Sequence, residues 1–213
     1  MSRPVRLVEK YRPHKVEDFV GHSKIKAILS KFVKDPYPTA FLFVGSPGVG
    51  KTSIAQAMAE QIGAEVRLLG SRQCNFDNLE RLCLDCEYIP NGLLSGMKSA
   101  LHFVIIDEVD QVTETAQYLL LSKLDSTQTV PNTVFVFTCN SSKKLEARFA
   151  SRCIQLDFST YGASKEIADF LERVWHAEGG NGDTPDWERV VRDRASNVRD
   201  CLLHLETELL ARG

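Results

Sequence analysis

The sequence contains no apolar run long enough to cross a membrane. Its first residues, Met-Ser-Arg-Pro, lack the apolar core of a secretory signal. No internal repeat and no low-complexity segment is present, which excludes repeat arrays and biased linkers. We therefore expect a cytosolic protein with no membrane partner.

The chain also lacks an excess of basic residues. It has 26 lysines and arginines against 28 aspartates and glutamates, and a formal net charge of −2. This balance excludes a protein coated with basic residues for nucleic acid, although it is compatible with a local basic surface inside an assembly. Its 213 residues, 43% hydrophobic and 25% charged, predict one sizeable α/β core with a small appendage.

The six cysteines do not form a complete metal motif. Cys139 and Cys153 lie in or beside apolar runs, where a thiol behaves as a small buried hydrophobe. The C-x8-C-x2-C group of Cys74, Cys83 and Cys86 invites a zinc interpretation, but no fourth ligand stands nearby. The same spacing also fits one side of a helix, so both interpretations stay open.

The most informative segment is residues 41–52, which read Phe-Leu-Phe-Val-Gly-Ser-Pro-Gly-Val-Gly-Lys-Thr. An apolar strand leads into a complete G-x-x-x-x-G-K-T loop, and a helical pattern follows immediately. Such a loop wraps its backbone amides around a nucleotide phosphate, while the lysine supplies charge and the threonine hydroxyl holds Mg²⁺. The predicted nucleotide ligands are Gly45, Ser46, Pro47, Gly48, Val49, Gly50, Lys51, Thr52 and Ser53.

Up to residue 158, apolar β-rich runs alternate with helical patterns. This order predicts an α/β fold with a five-stranded parallel sheet that is covered on both faces. Three helical stretches follow with no further strand, so we predict a core over residues 1–159 and a small three-helix domain over residues 160–213. The predicted strands are 41–44, 65–69, 103–107, 134–138 and 153–158, and the predicted helices are 52–62, 76–87, 115–124, 143–150, 163–177, 185–194 and 198–211.

Two further strands end in polar residues that suit a triphosphate site. The run at 103–108 ends in Asp107 and Glu108, and we expect it to lie on the strand next to the phosphate loop. Asp107 is then a candidate for the Mg²⁺ shell, and Glu108 for orienting or deprotonating the attacking water. Asn140 follows another apolar strand and is a candidate ligand of the γ-phosphate or its water.

With these motifs in place, the chain resembles AAA+ ATPases, and within them the sliding-clamp loader group. That group comprises the small subunits of the eukaryotic and archaeal loader and the ATPase subunit of T4-like phage loaders. The similar motifs are E-K-Y-R-P at 9–13, F-V-G-H at 19–22, the Walker B sequence D-E-V-D at 107–110, sensor 1 at Asn140, S-R-C at 151–153 and N-V-R-D-C-L at 197–202.

The resemblance implies a P-loop AAA+ core with a lid, ATP and Mg²⁺ as cofactors, and ATP hydrolysis. It implies that Arg199 is a sensor 2 residue that touches the phosphates when the lid closes. It also implies that Arg152 is an arginine finger that acts in trans on the nucleotide of an adjacent subunit. The implied adenine slot consists of Tyr11, Arg12, Pro13, Val20 and Gly21.

The partners implied by the resemblance are a sliding clamp, primer-template DNA and other loader subunits, as a homo-oligomer or hetero-oligomer in a pentameric ring. Arg72 and Asn75, before a helix, are candidate DNA contacts. Tyr88-Ile89-Pro90 is either a clamp contact or a loop anchor. We expect that these residues include no collar domain, and that the protein is cytoplasmic, or in the host cytoplasm if viral.

Two other functions remain compatible with the ATP motifs. One is a different AAA+ enzyme, such as a branch-migration motor or a helicase loader, against which the S-R-C and E-K-Y-R-P motifs argue. The other is a structural subunit that binds ATP as a switch without hydrolysing it. The intact set of Lys51, Thr52, Asp107, Glu108 and Arg152 argues against this second alternative.

Overall fold

A computed structural model describes residues 5–88, 99–125, 130–160, 162–180 and 183–212. The described residues contain five strands: β1 (Thr39–Val44), β2 (Glu65–Gly70), β3 (His102–Asp107), β4 (Thr133–Cys139) and β5 (Ile154–Asp157). They also contain nine α-helices: α1 (Leu7–Lys10), α2 (Ser23–Phe32), α3 (Lys51–Ile62), α4 (Phe76–Asp85), α5 (Glu114–Lys123), α6 (Ala147–Ala150), α7 (Ser164–Ala177), α8 (Trp187–Asp193) and α9 (Val198–Arg212).

The five strands form one parallel sheet in the order β2-β3-β4-β1-β5. The central strands are buried along almost their whole length, as expected for apolar runs that are covered by helices on both faces. The α/β fold and the five-stranded parallel sheet are therefore confirmed. Each strand begins and ends within two residues of its predicted bounds.

The strand order corrects one prediction. We expected Asp107 on the strand next to the phosphate loop, but β4 lies between β3 and β1. Asn140, which directly follows β4, is therefore the polar residue on the neighbouring strand. Hydrophobicity marks which segments are strands, but it does not tell which of them pair, because every buried strand of a parallel sheet carries the same apolar pattern.

Three groups of buried side chains form the interior. One lies between the sheet and helices α2 and α3 and includes Phe43 and Ile54. A second lies on the other face, against α4 and α5. The third joins α7, α8 and α9 through Trp175 and Trp187, and it also includes Leu7 of α1. The predicted division at residues 159 and 160 stays a prediction.

Helices α1 and α2 were not predicted, and the helix predicted over 143–150 is wrong in its first half. A short 3-10 turn covers Ser142–Lys144, and α6 begins only at Ala147. Between them the backbone at Leu145 is extended, which places its side chain in the buried interior. Tertiary packing of one leucine therefore overrides the local helical pattern.

The three clustered cysteines belong to the packed interior. Cys74, Cys83 and Cys86 are buried free thiols in the apolar group against α4 and α5. Burial raises the pKa of Cys83 to about 12, which disfavours a thiolate ligand. No cluster of metal-ligating side chains occurs in the described ranges. Only Cys83 lies in α4, whereas Cys74 precedes this helix and Cys86 directly follows it, so the spacing does not reflect one helix face. Among the same residues, none of the helices is both long and apolar enough to span a bilayer.

Candidate nucleotide-binding site

The phosphate loop joins the carboxyl end of β1 to the start of α3. Gly48 and Gly50 adopt left-handed conformations, with φ angles of 76° and 94°. A Cβ atom on Gly50 would lie 2.5 Å from the ring of Phe19, and one on Gly48 would lie 2.0 Å from the side chain of Asn197. Glycine is required here both by the backbone angle and by the close approach of neighbouring side chains.

Lys51 is held inside this loop. Only 8% of it is exposed, and its Nζ donates hydrogen bonds to the carbonyls of Gly45 at 2.7 Å and Ser46 at 3.0 Å. It also lies 3.2 Å from Oδ1 of Asn140. Burial lowers the pKa of Lys51, and the nearby Asp107 carboxylate opposes that change. The ammonium group is thus desolvated and aimed into the loop, where an anion would gain most from it.

Asp107 and Thr52 meet although β4 lies between β3 and β1, the strand that leads into the phosphate loop and α3. The Thr52 hydroxyl donates to Oδ1 of Asp107 at 2.8 Å, and Thr138 donates a short hydrogen bond to the same oxygen. Thr138 is 1% exposed on β4. Sequence reasoning missed Thr138, and its only signal is a hydroxyl in a strand that is otherwise apolar. The three residues place hydroxyl and carboxylate oxygens together, the donor type that Mg²⁺ prefers.

Glu108 follows β3 in an uncommon backbone conformation. Its φ and ψ angles are 54° and 50°, the left-handed region that residues other than glycine rarely adopt. Its amide donates to the Thr138 hydroxyl at 3.1 Å, which fixes the turn. Such conformations concentrate at functional sites, where the surrounding structure maintains them. The Glu108 side chain is exposed beside the phosphate loop rather than packed into the core.

A cavity of about 280 Å³ lies next to the phosphate loop. Nine of the predicted ligands line it: Tyr11, Arg12, Pro13, Val20, Gly48, Val49, Gly50, Ser53 and Arg199. Gly21 does not line it, and its amide donates instead to Oε2 of Glu166 at 3.1 Å. Sequence reasoning missed Phe170 and Leu202, which supply apolar walls from α7 and α9.

The start of α9 is in direct contact with the phosphate loop. The amide of Arg199 donates to the carbonyl of Gly48 over 3.4 Å. Asn197 accepts the amide of Asp200 on Oδ1 at 3.2 Å, so it caps the helix at the point where it meets the loop. The predicted sensor residue Arg199 therefore contacts the phosphate loop through its backbone amide, and it is one of the residues that line the cavity.

Arg152 lies away from the phosphate loop of its own chain. It precedes β5, whose first residue Ile154 pairs with Phe41, whereas the phosphate loop follows Val44 at the carboxyl ends of the strands. The distance along β5 alone is roughly 10 Å. The guanidinium of Arg152 donates to Oδ2 of Asp125 at 3.0 Å and to the Arg148 carbonyl at 3.1 Å. Arg152 therefore does not reach the phosphate loop of its own chain in this conformation.

The predicted DNA and clamp contacts lie outside this cluster. The side chain of Asn75 caps α4 by accepting the amide of Asn78 at 2.9 Å, and Arg72 is exposed just before it. Tyr88 is 74% exposed, whereas Ile89 and Pro90 lie outside the described residues. The roles of Arg72 and Asn75 stay predictions.

Comparison with protein families gives one match over residues 41–160, to the ATPase family associated with various cellular activities (AAA). Similar curated proteins include the replication factor C small subunit of Methanothermobacter thermautotrophicus, 32% identical over 94% of this chain. The human replication factor C subunit 5 is 31% identical over 99% of it. In both cases the chain spans 62% of the relative's length, and it spans 53% of the small subunit of Methanocella arvoryzae.

Among solved structures, the chain is similar to the Holliday junction branch migration motor RuvB of Thermotoga maritima. The TM-score is 0.71 at 19% identity, over 92% of this chain and 64% of that one. A single-residue mutant of the same protein gives a TM-score of 0.74 at 18% identity. At this identity the similarity supports the fold and says nothing about the activity of this chain.

Proposed function

Because the chain belongs to the AAA family of ATPases, we propose that it is the ATP-hydrolysing part of a sliding-clamp loader subunit that acts at primer-template DNA. The observation that carries the ATPase half of this proposal is the contact network of Lys51, Thr52, Asp107 and Asn140. These residues come from α3 and from the ends of β3 and β4. Apolar residues at these positions would stabilise the fold better than this polar cluster, so stability does not explain why the four residues converge at the carboxyl ends of the strands.

Each residue of the network has a role in this proposal. Lys51 exchanges its loop carbonyls and Asn140 for the oxygens of a bound triphosphate, to which its charge is better suited. Asn140 is then free to bind the γ-phosphate or the attacking water. Thr52 and Asp107 would hold Mg²⁺, which when bound would neutralise charge on the phosphate oxygens.

Glu108 is the proposed general base. It stands next to the proposed Mg²⁺ ligand Asp107, and its left-handed backbone turns the chain away from the strand direction at this point. An exposed carboxylate at the mouth of the site is accessible to water, as proton abstraction from an attacking water requires. The hydrogen bond between its amide and Thr138 keeps this geometry independent of the side chain.

The cavity beside the loop is the proposed adenosine pocket. Tyr11, Val20 and Phe170 give it apolar walls, and Arg199 lines it from α9. An apolar slot with a few polar groups is typical of nucleotide pockets. Gly21, which we predicted in the slot, instead acts through Glu166 to hold the segment before α2.

Arg152 is the proposed finger that completes the site of a neighbouring subunit. Its location before the amino end of β5, away from the carboxyl ends of the strands that hold the phosphate loop, and its exposure support action in trans. Hydrolysis therefore requires assembly, as a homo-oligomer or with other loader subunits in a pentameric ring. The relatives named replication factor C and the S-R-C and E-K-Y-R-P motifs support the clamp-loader assignment over other AAA+ functions.

The test is a steady-state ATPase assay with primed DNA, with the sliding clamp of the source organism, with both and with neither. We expect the rate with both to exceed the rate with either alone, because the interfaces become competent only around the assembled substrate. The Lys51→Ala variant is the background control. ATP hydrolysis that responds to neither DNA nor clamp would refute the clamp-loader assignment while preserving the ATPase.

A further inference from the structure

The segment that lines the proposed adenosine pocket is bonded to the far end of α7. The hydroxyl of Tyr11 donates a short hydrogen bond to Oε1 of Glu178, the residue that ends this helix. Lys10 donates to Oε2 of the same carboxylate at 2.9 Å. The Lys10 ammonium also lies 5.9 Å from the centre of the Tyr11 ring. One carboxylate thus holds two consecutive residues of the E-K-Y-R-P segment.

Helix stability does not account for this carboxylate. The carboxyl end of a helix carries partial negative charge, so an acidic side chain there is unfavourable. The pKa of Glu178 is nevertheless lowered, first by the hydrogen bond from Lys10 and then by the one from Tyr11. Its side chain is only 17% exposed. The contact with residues 10 and 11, rather than the helix end, therefore accounts for the ionised carboxylate at this position.

Tyr11 is the residue through which this contact reaches the pocket. It lines the cavity, and its ring meets Phe170 edge to face with the ring centres 6.2 Å apart. Phe170 belongs to α7, as does the helix end that carries Glu178. Two contacts with one helix, an aromatic contact and a hydrogen bond, therefore fix the position of the Tyr11 ring.

The hydrogen bond persists across the pH range in which such a protein is assayed. Burial and then the Glu178 hydrogen bond raise the pKa of Tyr11 to about 12, so the phenol stays a donor. Glu178 stays an acceptor because its pKa lies below the ordinary value. The contact is thus permanently available rather than a switch that titrates.

We propose that Glu178 is a positioning residue that sets the affinity for ATP by holding Tyr11 against the base. The inference rests on the proposed function, because it takes the cavity as the adenosine pocket. Glu178 does not line that cavity and acts only through Tyr11. The substrate feature that it governs is the base, while the phosphates are bound by the loop at Lys51.

The experiment compares the affinities for Mg²⁺-ATP and for inorganic tripolyphosphate by calorimetry, together with the melting temperature of the free protein. Glu178→Ala should weaken ATP binding roughly tenfold, the equivalent of one charge-assisted hydrogen bond. Tripolyphosphate, which has no base, should bind with unchanged affinity. Glu178→Gln should recover most of the ATP affinity, because its amide oxygen still accepts the Tyr11 hydroxyl.

Two further variants test whether Glu178 acts through Tyr11. Tyr11→Phe removes the donor, so Glu178→Ala should cause little additional loss in that background. Glu172→Ala is the matched control, because Glu172 is an exposed carboxylate on the same helix. It should leave both affinities at the wild-type values.

The outcomes separate this inference from the function on which it rests. Wild-type ATP affinity in Glu178→Ala, or an equal loss for ATP and tripolyphosphate, would overturn the positioning role and leave the ATP site intact. Additive losses from Glu178→Ala and Tyr11→Phe would overturn the route through Tyr11. A wild-type protein that does not bind ATP would overturn the proposed function, and the inference with it.

Discussion

Replacing Arg152 with alanine should separate the stability of the chain from its turnover. The arginine and its partner Asp125 are 31% and 41% exposed. A solvent-exposed ion pair of this kind contributes about 0.5 kcal/mol. The melting temperature should therefore fall by about 2 °C or less in a protein of this size.

The effect on hydrolysis should be much larger. An arginine finger typically contributes ~10³-fold or more to turnover, and a factor of 10³ corresponds to about 4 kcal/mol in the activation free energy. ATP affinity should stay at the wild-type value, because Arg152 contacts Asp125 and the Arg148 carbonyl rather than its own phosphate loop. Arg148→Ala is the matched control, since it removes an exposed arginine from α6 and leaves both contacts of Arg152 in place.

Mixing two inactive variants tests whether the finger acts in trans. Lys51→Ala should abolish ATP binding without unfolding the chain, because the lysine is bonded to loop carbonyls and not packed in the apolar core. An Arg152→Ala subunit that holds ATP can then meet a Lys51→Ala neighbour that still has its arginine. In a random equal mixture, about a quarter of head-to-tail interfaces would combine the two intact halves. Activity should return in that proportion, and wild-type activity should fall on dilution.

Three results would refute this reasoning. Full activity in a sample that light scattering shows to be monomeric would exclude a finger supplied by another subunit. Absence of rescue in a mixture that demonstrably co-assembles would also exclude an arginine finger supplied by another subunit. A large loss of thermal stability in Arg152→Ala would show that the Asp125 contact is structural. The loss of turnover would then follow from destabilisation and not from a missing arginine finger.

Two other substitutions test the site itself. Glu108→Gln should keep ATP bound and stall hydrolysis, because the amide keeps the shape of the carboxylate but takes no proton from water; turnover at the wild-type rate would mean that Glu108 is not the base. Gly48→Ala should weaken ATP binding and destabilise the fold by about 1 kcal/mol or more, since its Cβ would lie 2.0 Å from Asn197 at a φ of 76°. Gly162→Ala is the control for Gly48→Ala, because Gly162 has a φ of 79° but no atom lies within 4 Å of the added Cβ. Equal effects of the two substitutions on ATP affinity would contradict a specific contact between the phosphate loop and α9.

The sequence predicted the parts of the site that depend on local order. The phosphate loop requires a strand, glycines at fixed offsets and a helix, and all of these are consecutive along residues 41–62. The five strands were also predictable from local sequence: β1, β3 and β4 are short apolar runs, and β2 and β5 are short β-rich runs that include polar residues. Asp107, Glu108 and Asn140 were found because each directly follows such a run.

The rest depends on contacts between residues far apart in the chain, which carry no local signal. Thr138 reads as an ordinary strand residue, and its role is visible only once β4 is known to lie between β1 and β3. Glu178 reads as a solvated charge at a helix end, 167 residues away from its partner Tyr11. Helix α1 is only four residues long, too short for a periodic pattern, and its packing against α9 is what maintains it.

The proposed nucleotide site draws on two groups of elements. The phosphate half is built on the sheet, through Lys51, Thr52 and Asp107, whereas the base half takes Phe170 from α7 and Arg199 from α9. Among the described residues, two hydrogen bonds that join the halves run from the Arg199 amide to the Gly48 carbonyl and from the Gly21 amide to the Glu166 carboxylate. A nucleotide bound in this cavity contacts both groups at once, so it must favour the relative positions in which both sets of contacts are made. Any partner that shifts α7 and α9 must therefore change the affinity for ATP. Because linkage between two binding sites is reciprocal, ATP must change the affinity for that partner by the same factor.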